Sequence, residues 1–165
     1  MNLPIREPCE ENQFLASHVG RLLASLRRWT GRDLVDRRLP IVDQARQIFA
    51  APFVMLSHDI AADPMLNYGN RAGMRLFELS WRELIRTPSR LTAEPVHRDE
   101  RARLLEQVTR RGYIDDYRGV RISKSGRRFM IDKATVWTVV DENGAPCGQA
   151  AAFSEWNYLD GEGKG

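Results

Sequence analysis

Cysteine is scarce. Cys9 and Cys147 stand far apart in a chain of 165 residues, too few for a disulfide framework and too isolated for a zinc site. Long hydrophobic runs are missing too. Nowhere do about 18 apolar residues follow one another, and the opening MNLPIREPCEEN has no apolar core of signal-peptide length. Both absences argue against membrane spanning and secretion, and a cytoplasmic location is expected. Lysine is confined to Lys124, Lys133 and Lys164, so arginine carries the positive charge. With 25 basic and 22 acidic residues interleaved, the net charge of +3 and pI near 9.1 describe a mixed solvated surface rather than a nucleic-acid face. Catalytic signatures are absent as well: there is no Gly-x-Ser-x-Gly elbow, no phosphate-cradling glycine loop and no His-Glu-x-x-His. Ser57 and His58 are neighbours, but adjacent strand residues point to opposite faces and cannot form a nucleophile and base pair.

What is present is periodicity. Leu15, Val19, Leu22, Leu26 and Trp29 recur at helical spacing between Glu11 and Trp29, forming one apolar stripe that ends at Thr30-Gly31. Such a stripe either packs on its own domain or forms a seam between two copies, and a homodimer contact is expected here. A second helix follows Pro40. Two short strand-like runs, Pro52 to Ser57 and Met65 to Tyr68, precede a helix from Arg71 to Leu79 with Asn70 as its N-cap. Ser80 and Glu83 form a capping-box pattern, Arg86 to Glu94 reads as a connector, and a third long helix runs from Pro95 to Arg111. Three strand patterns separated by turn signals complete the chain: Ile114 to Ile122, Phe129 to Val140 and Cys147 to Phe153. Strands segregated from helices predict an α+β domain with a five-stranded antiparallel sheet and helices on one face. Residues 1–50 are expected to form an N-terminal helical extension, 51–159 the sheet domain, and 160–165 a disordered tail.

The order of elements and the stretch MLNYGNRAGMRLFELSWRELI resemble the PAS fold. More narrowly, FVMLSHDIAADPMLNYGNRAGMRLFELSW, PSRLTAEPVHRDERARLLEQVTRRGYIDDYRGVRIS, GRRF and GQAAAFSEW resemble the MEKHLA domain, a PAS-like family that occurs alone in bacteria and at the C-terminus of plant homeodomain-leucine zipper proteins. The resemblance covers about Glu11 to Leu159. It implies a sensory or interaction module that binds a small molecule between sheet and helices, without catalysis, and passes the change to an unidentified signalling partner protein. Alternatives are a redox or gas sensor with haem or flavin, and a small enzyme built on the same cavity.

The residues weigh against both prosthetic groups. Ser89 stands where the flavin photosensors carry their reactive thiol, and Gln149 lies one position from the flavin-bonding glutamine, so alternation is expected to turn it away from the cavity. By the register of the haem sensors the ligand position is Glu100, with His97 one turn earlier. No cofactor is required by the sequence. The candidate ligand site instead gathers Tyr68, Ser89, Arg90, Tyr117, Arg121 and Trp137, with Trp137 expected on the same strand face as Phe129. Arginine there suits an anionic small organic ligand, because its planar fork gives two parallel charged hydrogen bonds. The competing expectation is that Arg90 and Arg121 bridge to Glu94, Asp115 or Asp116 and only brace the connector.

Overall fold

A computed structural model describes residues 5–159, so the tail expected to be disordered, residues 160–165, lies outside the described residues. Five strands, β1 (Val54–His58), β2 (Leu66–Gly69), β3 (Tyr113–Ile122), β4 (Arg128–Val140) and β5 (Pro146–Phe153), form an antiparallel sheet in the order β2-β1-β5-β4-β3. A further short strand, β6 (Glu155–Tyr158), follows β5 after Ser154 and pairs with the first part of β4, Phe129 opposite Tyr158. The sequence pattern had no signal for β6, whose residues are mostly exposed.

Two layers of helices enclose the sheet. On one face lie α1 (Ala16–Thr30) and α2 (Ile41–Ala50), packed with Met55, Tyr68, Trp137, Val139, Ala150 and Ala152. On the other lie α3 (Arg71–Phe77) and the long α5 (Pro95–Arg111), while α4 (Trp81–Leu84) packs at the β2 edge, Trp81 joining the α1 side and Leu84 the other. The caps act as the sequence predicts: Asn70 Oδ1 accepts from Gly73 N at 3.0 Å, and Ser80 and Glu83 bond reciprocally at 3.1 and 2.9 Å. Asn70 is fully buried and also bonds the backbone of Met55, Ile48 and Phe53, tying β1, α2 and α3 together. Among the described residues, no helix is long and apolar enough to cross a membrane.

The first helix starts later than its apolar pattern suggests. Glu10–Leu15 forms a separate turn in which Gln13, Phe14 and Leu15 have φ of 56°, 55° and 55°. Left-handed conformation is costly for residues with a Cβ, and here it turns the buried Phe14 ring onto Phe49, 6.1 Å away between centroids. Leu15 therefore caps α1 rather than belonging to its stripe. Gly31, at φ 72°, ends α1 by donating its N–H to Arg27 O.

The expected dimer seam is occupied within the chain. Val19 and Leu22 are completely buried, Leu26 nearly so, and the Trp29 indole donates to Thr138 O at 2.8 Å. Burial of this stripe on its own sheet removes from solvent the apolar surface that would drive association, so pairing of two copies has to use another face.

Candidate functional site

Between the sheet and α5 lies a cavity of about 70 Å³, walled by β1, β3, β4, β5, α5 and the connector. Its position follows from alternation along the strands. Leu56, Ala151 and Val136 sit opposite one another on three adjacent strands and so share the face that α5 covers. The next pairs along, His58 with Gln149 and Gln149 with Thr138, carry polar groups to the same face. Most of the remaining wall is apolar, including Leu66, Phe77, Leu104, Ile131 and Phe153.

Two arginines enter this cavity. Arg121, only 8 % exposed, lies opposite Phe129 on the covered face; its guanidinium donates to Val120 O at 2.7 Å and to the Tyr117 hydroxyl at 3.2 Å. Arg101, from the second turn of α5, donates to Ser89 Oγ at 2.6 Å. Neither forms an ion pair with a carboxylate among the described residues; both bind only neutral oxygens. Burial and the neighbouring Arg121 charge lower the Arg101 guanidinium to about 10, which reports two like charges held close in a poorly solvated space. Tyr117 is held against β3 by Gly119, where an added Cβ would fall 2.2 Å from the Tyr117 hydroxyl oxygen.

His58 and Gln149 add unpartnered acceptors. His58 Nδ1 lies 2.8 Å from the Asp59 carbonyl, which can only accept, so Nδ1 carries the proton and Nε2 presents a lone pair. Burial holds the ring below its ordinary pKa, and Arg101 acts in the same direction, so the ring is neutral at pH 7. Gln149 Nε2 donates to Leu105 O and Thr109 Oγ1, both at 3.1 Å, which leaves Oε1 as the free acceptor of a residue that lines the cavity. His58 Nε2 and Gln149 Oε1 are both buried without a hydrogen-bond partner.

The structure thus brings together Ser89, Tyr117 and Arg121 and sends Tyr68, Arg90 and Trp137 elsewhere. Trp137 is on the opposite face, its indole donating to Leu22 O of α1 at 3.0 Å. The cause is a β-bulge: Tyr117 faces Ala134 while Gly119 faces Ile131, so β4 carries an extra residue, and Lys133 adopts φ 53° there. Everything after Lys133 is inverted relative to Phe129. Tyr68 is displaced in the same way by a register shift in β2, and packs against His18 and Trp81 under α1. Arg90 points outward and pairs with Asp63 at 3.1 Å, so it braces the connector through a different acid from those expected. Gln149 is the reverse correction: expected to face away, it faces the cavity because it pairs directly with His58.

Arg101 and His58 were missed in the sequence, although Arg101 had a readable signal. It lies three, four and seven residues before Leu104, Leu105 and Val108 and so shares their buried helix face. His58 had none, because a histidine at a strand end reads as a surface residue.

The Ser57 hydroxyl behaves as a structural group. It lies on the α1 face and donates to Asn67 Oδ1 at 2.6 Å, so His18 Nε2, 3.1 Å away, must donate to it. That arrangement gives no activated nucleophile. The arginines near the end of α1 are matched by acids: Arg27 with Asp33, Arg32 with Asp115 and Arg38 with Asp36.

A five-stranded antiparallel sheet in this order, with helices and a connector closing a cavity over it, defines a PAS-type domain. The PAS domain of a protein from Colwellia psychrerythraea superposes with a TM-score of 0.60 at 14 % identity, covering 71 % of this chain and 94 % of that one. A light-oxygen-voltage domain studied with a flavin analogue gives 0.56 at 12 % identity, covering 73 % and 87 %. A fungal light-oxygen-voltage photoreceptor gives 0.57 at 15 % identity, covering 86 % and 91 %. These likenesses are of fold alone. The MEKHLA domain model matches residues 16–158, and the chain belongs to that family. No curated protein matches the chain.

The residues present do not fit flavin or haem. About 70 Å³ is far below the roughly 300 Å³ at which pockets begin to hold drug-sized molecules. The Ser89 oxygen, expected at the thiol position, is engaged by Arg101. His97 and Glu100 are not among the residues that line the cavity.

Proposed function

We propose that this domain is a non-catalytic sensor of a small anionic molecule, bound between the sheet and α5 and read out by a signalling partner. The observation that carries the reading is the pair Arg101 and Arg121, converging on a half-open cavity whose lining holds no carboxylate. Confining two guanidinium groups without a counter-ion is unfavourable, and an anion bound between them would supply the missing partner. Such a ligand would link α5 to β3 and, through Ser89, to the connector. Helix α5 is suited to respond, because its other buried apolar contacts are few, centred on Leu104 and Val108. Ligand binding would therefore change how firmly α5 is held, and α5 is the surface a partner would read.

The test uses Arg101→Met, which keeps the apolar stem and removes the charge. The ligand-free variant should melt at or above the wild-type temperature, since it relieves repulsion with Arg121. It should also lose the thermal stabilisation that small carboxylates give the wild type. A variant that melts lower yet keeps that stabilisation would show Arg101 to be a structural group and would end the reading.

A further inference from the structure

Resting on that sensing role, we infer that the ligand is a short hydroxycarboxylate, with its carboxylate on Arg101 and Arg121 and its hydroxyl donating to Nε2 of His58. The inference starts from a mismatch in the cavity. Its cations demand an acceptor, whereas His58 Nε2 and Gln149 Oε1, both buried and unpartnered, demand a donor. A simple carboxylate answers the first demand and leaves the second unmet. A neutral alcohol does the opposite. The donor and acceptor assignments are fixed by neighbours: Asp59 O holds the proton on Nδ1 of His58, and Leu105 O with Thr109 Oγ1 fixes the amide of Gln149. One small molecule that carries both an anionic head and a hydroxyl satisfies the two arginines and one of the two acceptors, His58 Nε2, and a water or a second hydroxyl would be needed for Gln149 Oε1.

Size and wall chemistry narrow the class. A cavity near 70 Å³ has room for on the order of five water-sized atoms, at about 10 to 15 Å³ each. That suits a two- or three-carbon acid. The apolar wall of Leu56, Leu66, Ile131 and Phe153 favours a carbon chain over inorganic phosphate, whose outer oxygens would face it without donors.

The experiment is calorimetric titration of the wild-type protein with glycolate and lactate, against acetate and propionate, which lack only the hydroxyl, and against inorganic phosphate. Glycolate or lactate should bind at least about tenfold more tightly than its partner, because a site built around a hydroxyl leaves buried groups unpaired when the hydroxyl is missing. His58→Phe should abolish that preference while acetate binding persists, and Arg121→Met should weaken every carboxylate. Equal affinity for glycolate and acetate, or binding of phosphate alone, would overturn the hydroxycarboxylate assignment and leave an anion sensor standing. Absence of binding by any of these anions would overturn both. The wild-type comparison decides the matter even if a variant misfolds.

Discussion

His18 illustrates how one buried side chain sets the pH response of this domain. It projects from α1 onto Tyr68, with ring centroids 5.9 Å apart, and donates to Ser57 Oγ. Burial, helped by the nearby Arg21 charge, pushes its pKa down from 6.5 to about 4. A histidine whose folded pKa lies below its unfolded value binds protons preferentially when unfolded, so stability falls as pH drops from about 6.5 and levels off below about 4. Between pH 7 and pH 5 the loss from this group is about 2 kcal/mol. His18→Gln, which retains an N–H for Ser57 and cannot charge, should narrow the difference in unfolding free energy between those two pH values by that amount. Denaturant titrations of both proteins at pH 7 and pH 5 measure it; parallel losses would mean that His18 is not held neutral. His58 is shifted in the same direction by burial and steepens the acid response further.

At the level of elements, much of the fold was legible and the facing of side chains was not. Caps, turns and the change of hydrophobic period located every strand of the main sheet except its β6 appendage, because those signals are local. Bulges left no such signal. Lys133 reads as an ordinary polar strand residue, yet at φ 53° it inserts one residue into β4 and moves Trp137 from the cavity to the α1 face. Strict alternation therefore assigned Trp137 and Tyr68 to the wrong side. It placed Tyr117 and Arg121 together because both lie beyond the compensating bulge at Asp116, φ 54°. Deleting Lys133 should be far more damaging than substituting it. The deletion forces Ala134 to Val140 to exchange faces and should prevent cooperative folding. Lys133→Gly relieves the positive φ, loses only an exposed contact with Glu155 at 3.6 Å, and should leave stability within about 1 kcal/mol or raise it. Thermal melts followed by circular dichroism separate the two; a deletion variant that melts like wild type would show that the bulge does not set the register.

Across the whole molecule, the N-terminal helices belong to the core of the sheet domain. Val19, Leu22, Leu26, Ile48 and Phe49 share one cluster with Met55, Trp137 and Val139, and the Trp137 indole donates to Leu22 O of α1. The family match, beginning at residue 16, includes both helices as well. Complete burial of each of those five side chains stabilises by roughly 1.5 to 3 kcal/mol. Together they contribute on the order of 10 kcal/mol, comparable with the entire net stability of a typical domain. A fragment of residues 51–159 would expose the α1 face of the sheet, leave the Trp137 N–H without its partner and remove the Ile48 carbonyl that Asn70 Nδ2 bonds. It should therefore fail to give a cooperative unfolding transition, and should bind apolar dyes or aggregate. The intact chain carrying Leu22→Glu should show the same behaviour, because the charge is driven into the shared core and not into a seam between copies. Size-exclusion light scattering with a denaturant melt tests both. A fragment that unfolds cooperatively, or a Leu22→Glu protein that stays folded while a dimer separates into monomers, would show that α1 serves association and that the sheet domain stands without it.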